Sequence, residues 1–359
     1  MKAIVIDDLV RHGGGQMYGL TLANTLKGIG YDTYFLTNVE ESEITGNKVA
    51  FKVDYEFVEG ESKVIDLLKI IRLRRQLLRT DLKDFALTIN NHPNVFLMRS
   101  DLNILHGFSF LDPWLDEKGE LTTRFPPVAL RLLGMYKIYD GLLFIPNSKY
   151  TKTISKSLFE FLGLDFRLGD VLYPPIVSKE NDAFTKKEQV IVFGRISRHK
   201  GIDEVIEIAK KSSLKVIIAG FVNKGDEEFV RKMGRDAGRN VEIRTNLGED
   251  ERERLFIESS TILSLNRKEH FGMAVAEAMG YGCVPVVPKS GGQWMDVVEE
   301  GKYGLGYDSM DGVSDLLMKS LSYGQEERRR ISSSVTRFSL PEFRKSLERI
   351  LEGIAPSHM

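Results

Sequence analysis

Residues 261–288 read TILSLNRKEHFGMAVAEAMGYGCVPVVP. The run Thr261–Leu265 is short, apolar and rich in β-branched residues, which is the pattern of a buried strand, and CVPVV (283–287) repeats it. Between them lies a helix-forming stretch, so the segment is one strand-helix-strand unit of a parallel sheet. Two carboxylates mark it. Glu269 falls in the loop beyond the carboxyl end of the first strand, where open α/β sheets bind ligands, and Glu277 falls inside the helix. The backbone N–H groups of His270, Phe271, Gly272, Met273 and Ala274 open that helix, where no intrahelical acceptor exists for them, so they can meet an anion. A phosphate-bearing ligand is expected.

The same rhythm runs outward from this unit. From Gln189 on, the strands VIVFG (190–194), LKVIIAG (214–220) and VEIR (241–244) alternate with amphipathic stretches over 201–211, about 225–238 and 250–259, and a further helix is expected near 293–300. This predicts a parallel, doubly wound sheet. The first half alternates less regularly: AIVID, a helix over 16–28, DTYFLT, a long basic helix over about 62–80, LTINN (87–91), NILHG (103–107) and GLLFIPN (141–147). It reads as a second Rossmann-like domain. Paired prolines and a polar tract, YPPIVSKENDAFTKKEQ (173–189), separate the two. The expected division is 1–175, 187–335 and a final helix over 336–355.

Composition bounds the function. At 359 residues the chain exceeds what one core usually serves. Its 50 basic and 51 acidic residues nearly cancel, so nothing global points to nucleic acid. The single cysteine, Cys283, excludes an intrachain disulfide and a cysteine-based zinc site, and fits a reducing, cytoplasmic setting. MKAIVIDDLV reads as a first strand without a signal-peptide cleavage site, no apolar run approaches the roughly 20 residues that span a bilayer, and the final PSHM reads as a flexible end.

Several motifs carry chemistry. Gly13, Gly14 and Gly15 follow the first strand, but Tyr18 stands where a dinucleotide fingerprint needs a small residue, and Leu20 where a P-loop needs lysine. What remains is a glycine turn, either structural or open to close approach by a substrate. GRISRHKGIDE (194–204) sets Arg195 and Lys200 in the loop after a strand. Solvated loop cations are one reading; the other is a bidentate arginine and a mobile lysine stabilising a departing diphosphate. His106 ends NILHG and taken alone reads as a cap or core residue. Asp7, Asp8 and His12 suggest metal, yet adjacent strand residues point to opposite faces, and no metal site is expected. KIIRLRRQLLRTDLK (69–83) is basic and amphipathic: it either lies on an anionic membrane surface or turns an apolar face to the core and a basic one to solvent.

In this order and on these elements, the motifs resemble those of the retaining GT-B glycosyltransferases, the large class of sucrose, glycogen and mannosyl transferases. GGGQMYGLTLANTL resembles the family's glycine loop, GRISRHKGID its diphosphate-binding arginine and lysine, and EHFGMAVAEAMGYGCVPVV its two-glutamate signature. RFSL (337–340) resembles the start of the helix that crosses back to the first domain. VLYPPIV (171–177), NRKEHFGMAVAEAM and SGGQWMDVVEEG (290–301) look like the GDP-mannose-using transferases that extend lipid-linked oligosaccharides. The resemblance implies two Rossmann-like domains facing a central cleft. It implies that Arg195 and Lys200 hold the donor diphosphate, and that Glu269 with the backbone of His270–Ala274 binds sugar and phosphate. It further implies that Glu277 bonds the ribose and that the backbone near Leu247 meets the base. His106 would then stand near the anomeric region, with Gly14 and Gly15 facing the phosphate. Gln16 and Met17 depart from the common pattern, so acceptor identity does not carry over.

The implied reaction is transfer of a hexose, mannose or glucose, from a GDP-mannose or UDP-glucose type donor to the hydroxyl of a glycan or lipid-linked acceptor, with retention. Neither cofactor nor metal is expected, and catalysis would rest on His106, Arg195, Lys200 and Glu269. The expected location is cytoplasmic, alone or peripheral at the membrane's cytoplasmic face. A nucleotide-sugar epimerase, a phosphorylase or a non-catalytic sugar-nucleotide binder on the same fold are the alternatives, because a fold does not fix a reaction.

Overall fold

In the computed structural model, residues 1–9, 14–44, 46–55, 69, 72–107, 135–176, 184–196, 201–212, 214–222 and 226–354 are described. The chain divides into two compact units, Met1–Pro175 with Pro341–Met359, and Ile176–Leu340.

The first unit is built on a seven-stranded parallel sheet in the order β3-β2-β1-β4-β5-β6-β7. Its strands are β1 (Lys2–Ile6), β2 (Asp32–Thr37), β3 (Lys48–Lys52), β4 (Leu87–Asn90), β5 (Leu102–Leu105), β6 (Leu142–Pro146) and β7 (Phe166–Leu168). Ala3, Ile4, Val5 and Ile6 are wholly buried, as expected of a central strand covered on both faces. The helix Gly14–Gly28 lays Tyr18, Leu22, Ala23 and Leu26 on one face of the sheet. The final helix, Leu340–Glu352, adds Phe343 and Leu347 to that same core, with Phe343 edge-on to Tyr18 at 5.4 Å. Burying two such side chains contributes about 1.5–3 kcal/mol each. The helix Lys149–Leu162 starts where Ser148 accepts from the amide of Thr151 and ends at Gly163, in the left-handed region.

The second unit carries a six-stranded parallel sheet, β10-β9-β8-β11-β12-β13. The strands are β8 (Lys187–Ile196), β9 (Lys215–Val222), β10 (Val241–Thr245), β11 (Ser259–Leu263), β12 (Val284–Pro288) and β13 (Leu305–Tyr307). Every residue of β11 and β12 is buried. Cys283 is buried too, its thiol donating to the carbonyls of Phe256 and Ser259, and burial pushes its pKa up. In each sheet the chain leaves the middle strand, β1 or β8, toward one edge and returns on the other side. This opens a crevice at the carboxyl ends of the central strands.

Some expectations need correction. Arg195 does not lie in a loop: β8 runs on to Ile196, and Arg195 pairs with Phe221 of β9. The helix expected near 293–300 is a π-helical turn, Gln293–Val297. Of the long basic helix over 62–80, residues 72–77 are helical, while 62–68 and 70–71 lie outside the described residues. Leu73 and Leu77 pack into the first core with Ile4 and Phe96, and Leu78 is exposed. The apolar side of this segment therefore faces the protein, while Arg72, Arg74, Arg75 and Arg79 are exposed.

Candidate active site

In the second unit the loop between β11 and the helix Met273–Gly280 is held from the side by Ser290–Gln293. Gln293 is fully buried and donates from Nε2 to the Asn266 carbonyl at 2.6 Å; Asn266 donates from Nδ2 to Glu269 Oε2 at 2.8 Å. Two backbone contacts lock the same loop: the Gly292 amide donates to the Glu269 carbonyl at 2.6 Å, and Ser290 Oγ donates to the Arg267 carbonyl at 2.8 Å. A Cβ at position 292 would stand 2.0 Å from the His270 carbonyl oxygen, so only glycine lets the two segments approach this closely. The carboxylate of Glu269 is thus aimed by a relay that begins on a buried amide. Among the described residues Gln293 Oε1 is buried without a hydrogen-bond partner, which costs stability.

The helix that follows begins at Met273 behind Gly272, whose φ is 102°. Met273 and Ala274 are half-buried, Phe271 is buried edge-on to Phe338, and His270 and Glu269 are half-buried. The amides of the first turn lack intrahelical acceptors and carry the positive end of the helix dipole, an arrangement that suits a phosphate. One turn on, Glu277 retains 14% of its side-chain exposure and stands 3.6 Å from Arg252. Burial pushes its pKa up, Arg252 pulls it down, and Glu249 adds a smaller upward push. Leu247 is half-buried in the turn after β10, between Asn246, at φ 54°, and Gly248. Arg195 is exposed near the end of β8, and Lys200 lies outside the described residues.

The first unit assembles a different group of side chains at its own switch point. Asp7, beyond the end of β1, is fully buried and lies 2.5 Å from His92 Nδ1. Asn91 donates from Nδ2 to Asp7 Oδ2 at 3.0 Å and to the Gly15 carbonyl at 3.2 Å. His106 Nε2 meets Asn91 Oδ1 at 2.8 Å, and Asn147 Nδ2 meets His106 Nδ1 at 3.3 Å. Because Asn91 uses its amide nitrogen toward Asp7, its oxygen must accept, so His106 carries its proton on Nε2 and accepts at Nδ1. Gly14 is exposed and Gly15 half-buried at the start of their helix; Gly13 and His12 lie outside the described residues. Asp8 turns the other way and accepts from Asn38 at 2.8 Å. Among the described residues no group of three His, Cys, Asp or Glu side chains could hold a metal ion.

Motif reading did not single out Asn91, His92, Asn147, Asn266 or Gln293. The available signal was position: NNHP (90–93) and PNS (146–148) are polar runs placed immediately after apolar strands, where a sheet binds ligands.

Two parallel doubly wound sheets, with a final helix returned to the first core, define a GT-B fold. Residues 175–337 match the model of glycosyl transferases group 1. It is 34% identical over 144 residues to the GDP-Man:Man(3)GlcNAc(2)-PP-Dol alpha-1,2-mannosyltransferase of Mus musculus, a match covering 36% of this chain and 29% of that one. It is 25% identical over 213 residues to the glycogen synthase of Petrotoga mobilis, covering 54% of this chain and 40% of that one. The chain thus spans less than half the length of the curated relatives it matches. The sucrose-phosphate synthase of Thermosynechococcus elongatus superposes over 98% of both chains with a TM-score of 0.73 at 11% identity. Anabaena HepE in complex with UDP and glucose superposes over 98% of this chain and 99% of that one, at 0.68 and 15%. At these identities the structures establish the fold.

Proposed function

We propose that the protein transfers a hexose from a nucleoside diphosphate sugar to an acceptor hydroxyl, with retention at the anomeric carbon. The observation that carries this reading is the relay Gln293–Asn266–Glu269 beside the amino end of the helix Met273–Gly280. It brings a fixed carboxylate, suited to sugar hydroxyls, next to amides suited to a phosphate. In the reaction the bond between the anomeric carbon and the diphosphate oxygen breaks, its electron pair leaves with the diphosphate, and the acceptor oxygen bonds to that carbon. Arg195 and Lys200 stabilise the departing charge, so neither a divalent metal nor a cofactor is required. Glu277 bonds the ribose, and the backbone at Leu247 meets the base.

Mannose carried by GDP is the preferred donor, on the strength of the mannosyltransferase relatives, and UDP-glucose is the second candidate, since solved neighbours are complexes of UDP and of UDP-glucose. The acceptor is a glycan, free or lipid-linked. Among the described residues no helix is long and apolar enough to cross a membrane. The proposed location is cytoplasmic, and contact with an anionic surface would run through the exposed arginines of residues 72–79 by charge alone, Leu73 and Leu77 being committed to the core.

Thermal shift with a panel of nucleotide sugars, followed by incubation of the stabilising donor with glycan acceptors, tests the reading. The expected result is stabilisation by one sugar nucleotide and an acceptor-dependent product whose anomeric configuration, read by NMR, matches the donor's. An altered free donor, a requirement for orthophosphate, or binding without any turnover would replace transfer by epimerisation, phosphorolysis or simple binding.

A further inference from the structure

Among the described residues of the second unit, four large apolar side chains are exposed: Phe221, Ile257, Met318 and Leu340. The last three lie on helices. Phe221, 40% exposed, stands instead near the carboxyl end of β9, at the end of the sheet where open α/β folds bind ligands. Side chains alternate along a strand, and Val216, Ile218 and Val222 of β9 pack into one core, so Phe221 points from the opposite face. Arg195, its partner in register on β8, shares that face, as does Phe193, which meets Phe256 of the helix Glu249–Glu258 at 5.2 Å. The same helix supplies Arg252 to Glu277, which places Phe221 and Glu277 on one face of the sheet.

Two glycines put the ring there. Gly194 and Gly220 pair across β8 and β9, and a Cβ on Gly220 would stand 1.6 Å from the Gly194 carbonyl oxygen. Only glycine allows that approach, which keeps the strands paired for two residues more and carries Phe221 past the buried part of the sheet. Asn246, left-handed at φ 54°, then brackets it: its amide donates to the Gly220 carbonyl at 2.8 Å, and its side-chain oxygen accepts from the Val222 amide at 3.4 Å. Phe221 is thereby fixed beside the turn that carries Leu247. In the order β10-β9-β8-β11, β9 lies two strand spacings, roughly 10 Å, from β11, whose loop leads into the helix Met273–Gly280. A nucleoside diphosphate with one phosphate at the head of that helix would cross this interval with its other phosphate and its ribose, and would bring its base to Phe221.

We propose that Phe221 is the platform on which the base of the sugar nucleotide stacks, and that it favours a purine over a pyrimidine. The proposal rests on the nucleotide-sugar reading argued above. One face of the base covers the phenyl ring, and its edge meets the backbone at Leu247. Two fused rings cover more of a phenyl face than one ring does, so guanine gains more from the contact than uracil. Phe221 is then a specificity-determining residue of the donor site and takes no part in the chemistry.

Calorimetric titration of wild type, Phe221→Ala and Phe221→Tyr with GDP and with UDP tests it. Phe221→Ala should bind GDP at least about fivefold more weakly, the lower end of what base–aromatic stacking is worth by alanine substitution, and should lose less for UDP. Phe221→Tyr, which keeps the aromatic face, should stay within about twofold of wild type. If Phe221→Ala does not fold, as judged by its melting curve, Phe221→Leu decides by the same criterion. Where UDP binds too weakly to measure, the loss for GDP and its recovery in Phe221→Tyr decide. GDP affinity within about twofold of wild type in the alanine variant, equal losses for GDP and UDP, or an equal loss in the tyrosine variant overturns the proposal. A wild type that binds neither nucleoside diphosphate refutes the nucleotide-sugar reading, and the role of Phe221 with it.

Discussion

Gln293 Nε2 lies 2.6 Å from the carbonyl oxygen of Asn266, joining a π-helical turn to the loop that carries Glu269, 27 residues apart in the chain. Through Asn266 Nδ2 this one hydrogen bond aims a carboxylate. The position of Glu269 is therefore set by an amide that need not touch a ligand, and whose own oxygen has no partner among the described residues.

Replacing that amide by an apolar side chain of similar length separates function from folding. Gln293→Met removes both the donor and the buried orphan acceptor, so the melting temperature should hold or rise, while kcat/KM falls by about tenfold, the worth of one hydrogen bond of about 1.4 kcal/mol. Steady-state kinetics beside thermal melts give both readings. A loss of stability with unchanged kinetics would make Gln293 a packing residue.

Glu277 carries a pH signature. Its folded pKa is raised, chiefly by burial, so its stability contribution is complete below the unfolded carboxylate pKa, near 4.5, and is lost as pH rises through the folded value. Glu277→Gln should then melt at a higher temperature than wild type at pH 7 and at the same temperature near pH 4, while binding the nucleoside more weakly. Equal melting at both pH values would mean that Arg252 fully compensates the burial.

Lys200 is assigned from its motif to the leaving diphosphate. Lys200→Ala should fold normally and lose about 100- to 1000-fold in kcat, the scale of removing one group that stabilises developing charge. A folded and fully active variant would sink the diphosphate assignment.

Leu347 tests the architecture. It is wholly buried in the core of the first unit although it comes from the end of the chain. Leu347→Ala should cost about 2–5 kcal/mol in chemical denaturation, as buried leucine truncations do. A cost below about 1 kcal/mol would show that the final helix docks only loosely.

The central strands were legible because burial on both faces leaves continuous apolar runs, as in AIVID and CVPVV. The edge strands β3, β7 and β13 were not: KVAFK, FRL and LGY are short and half-exposed, so they carry little pattern. Arg195 was expected in a loop because Gly194 looked like its start, yet β9 has Gly220 opposite and the pairing simply continues. The two-glutamate loop was legible as a motif, but its supports were not. Asp7 and His92 stand 85 residues apart and meet only because β1 and β4 are neighbours in the sheet, an adjacency that strand order creates and spacing cannot reveal.

If the loop at the head of Met273–Gly280 reads the sugar of a nucleotide sugar, Glu269 is the side chain through which it does so. Calorimetric titration of wild type and Glu269→Ala with the sugar nucleotide, and with the bare nucleoside diphosphate, tests it directly. The variant should bind the sugar nucleotide at least about tenfold more weakly, a loss of about 1.4 kcal/mol, with its affinity for the nucleoside diphosphate unchanged. Equal affinity of both proteins for the sugar nucleotide would contradict it.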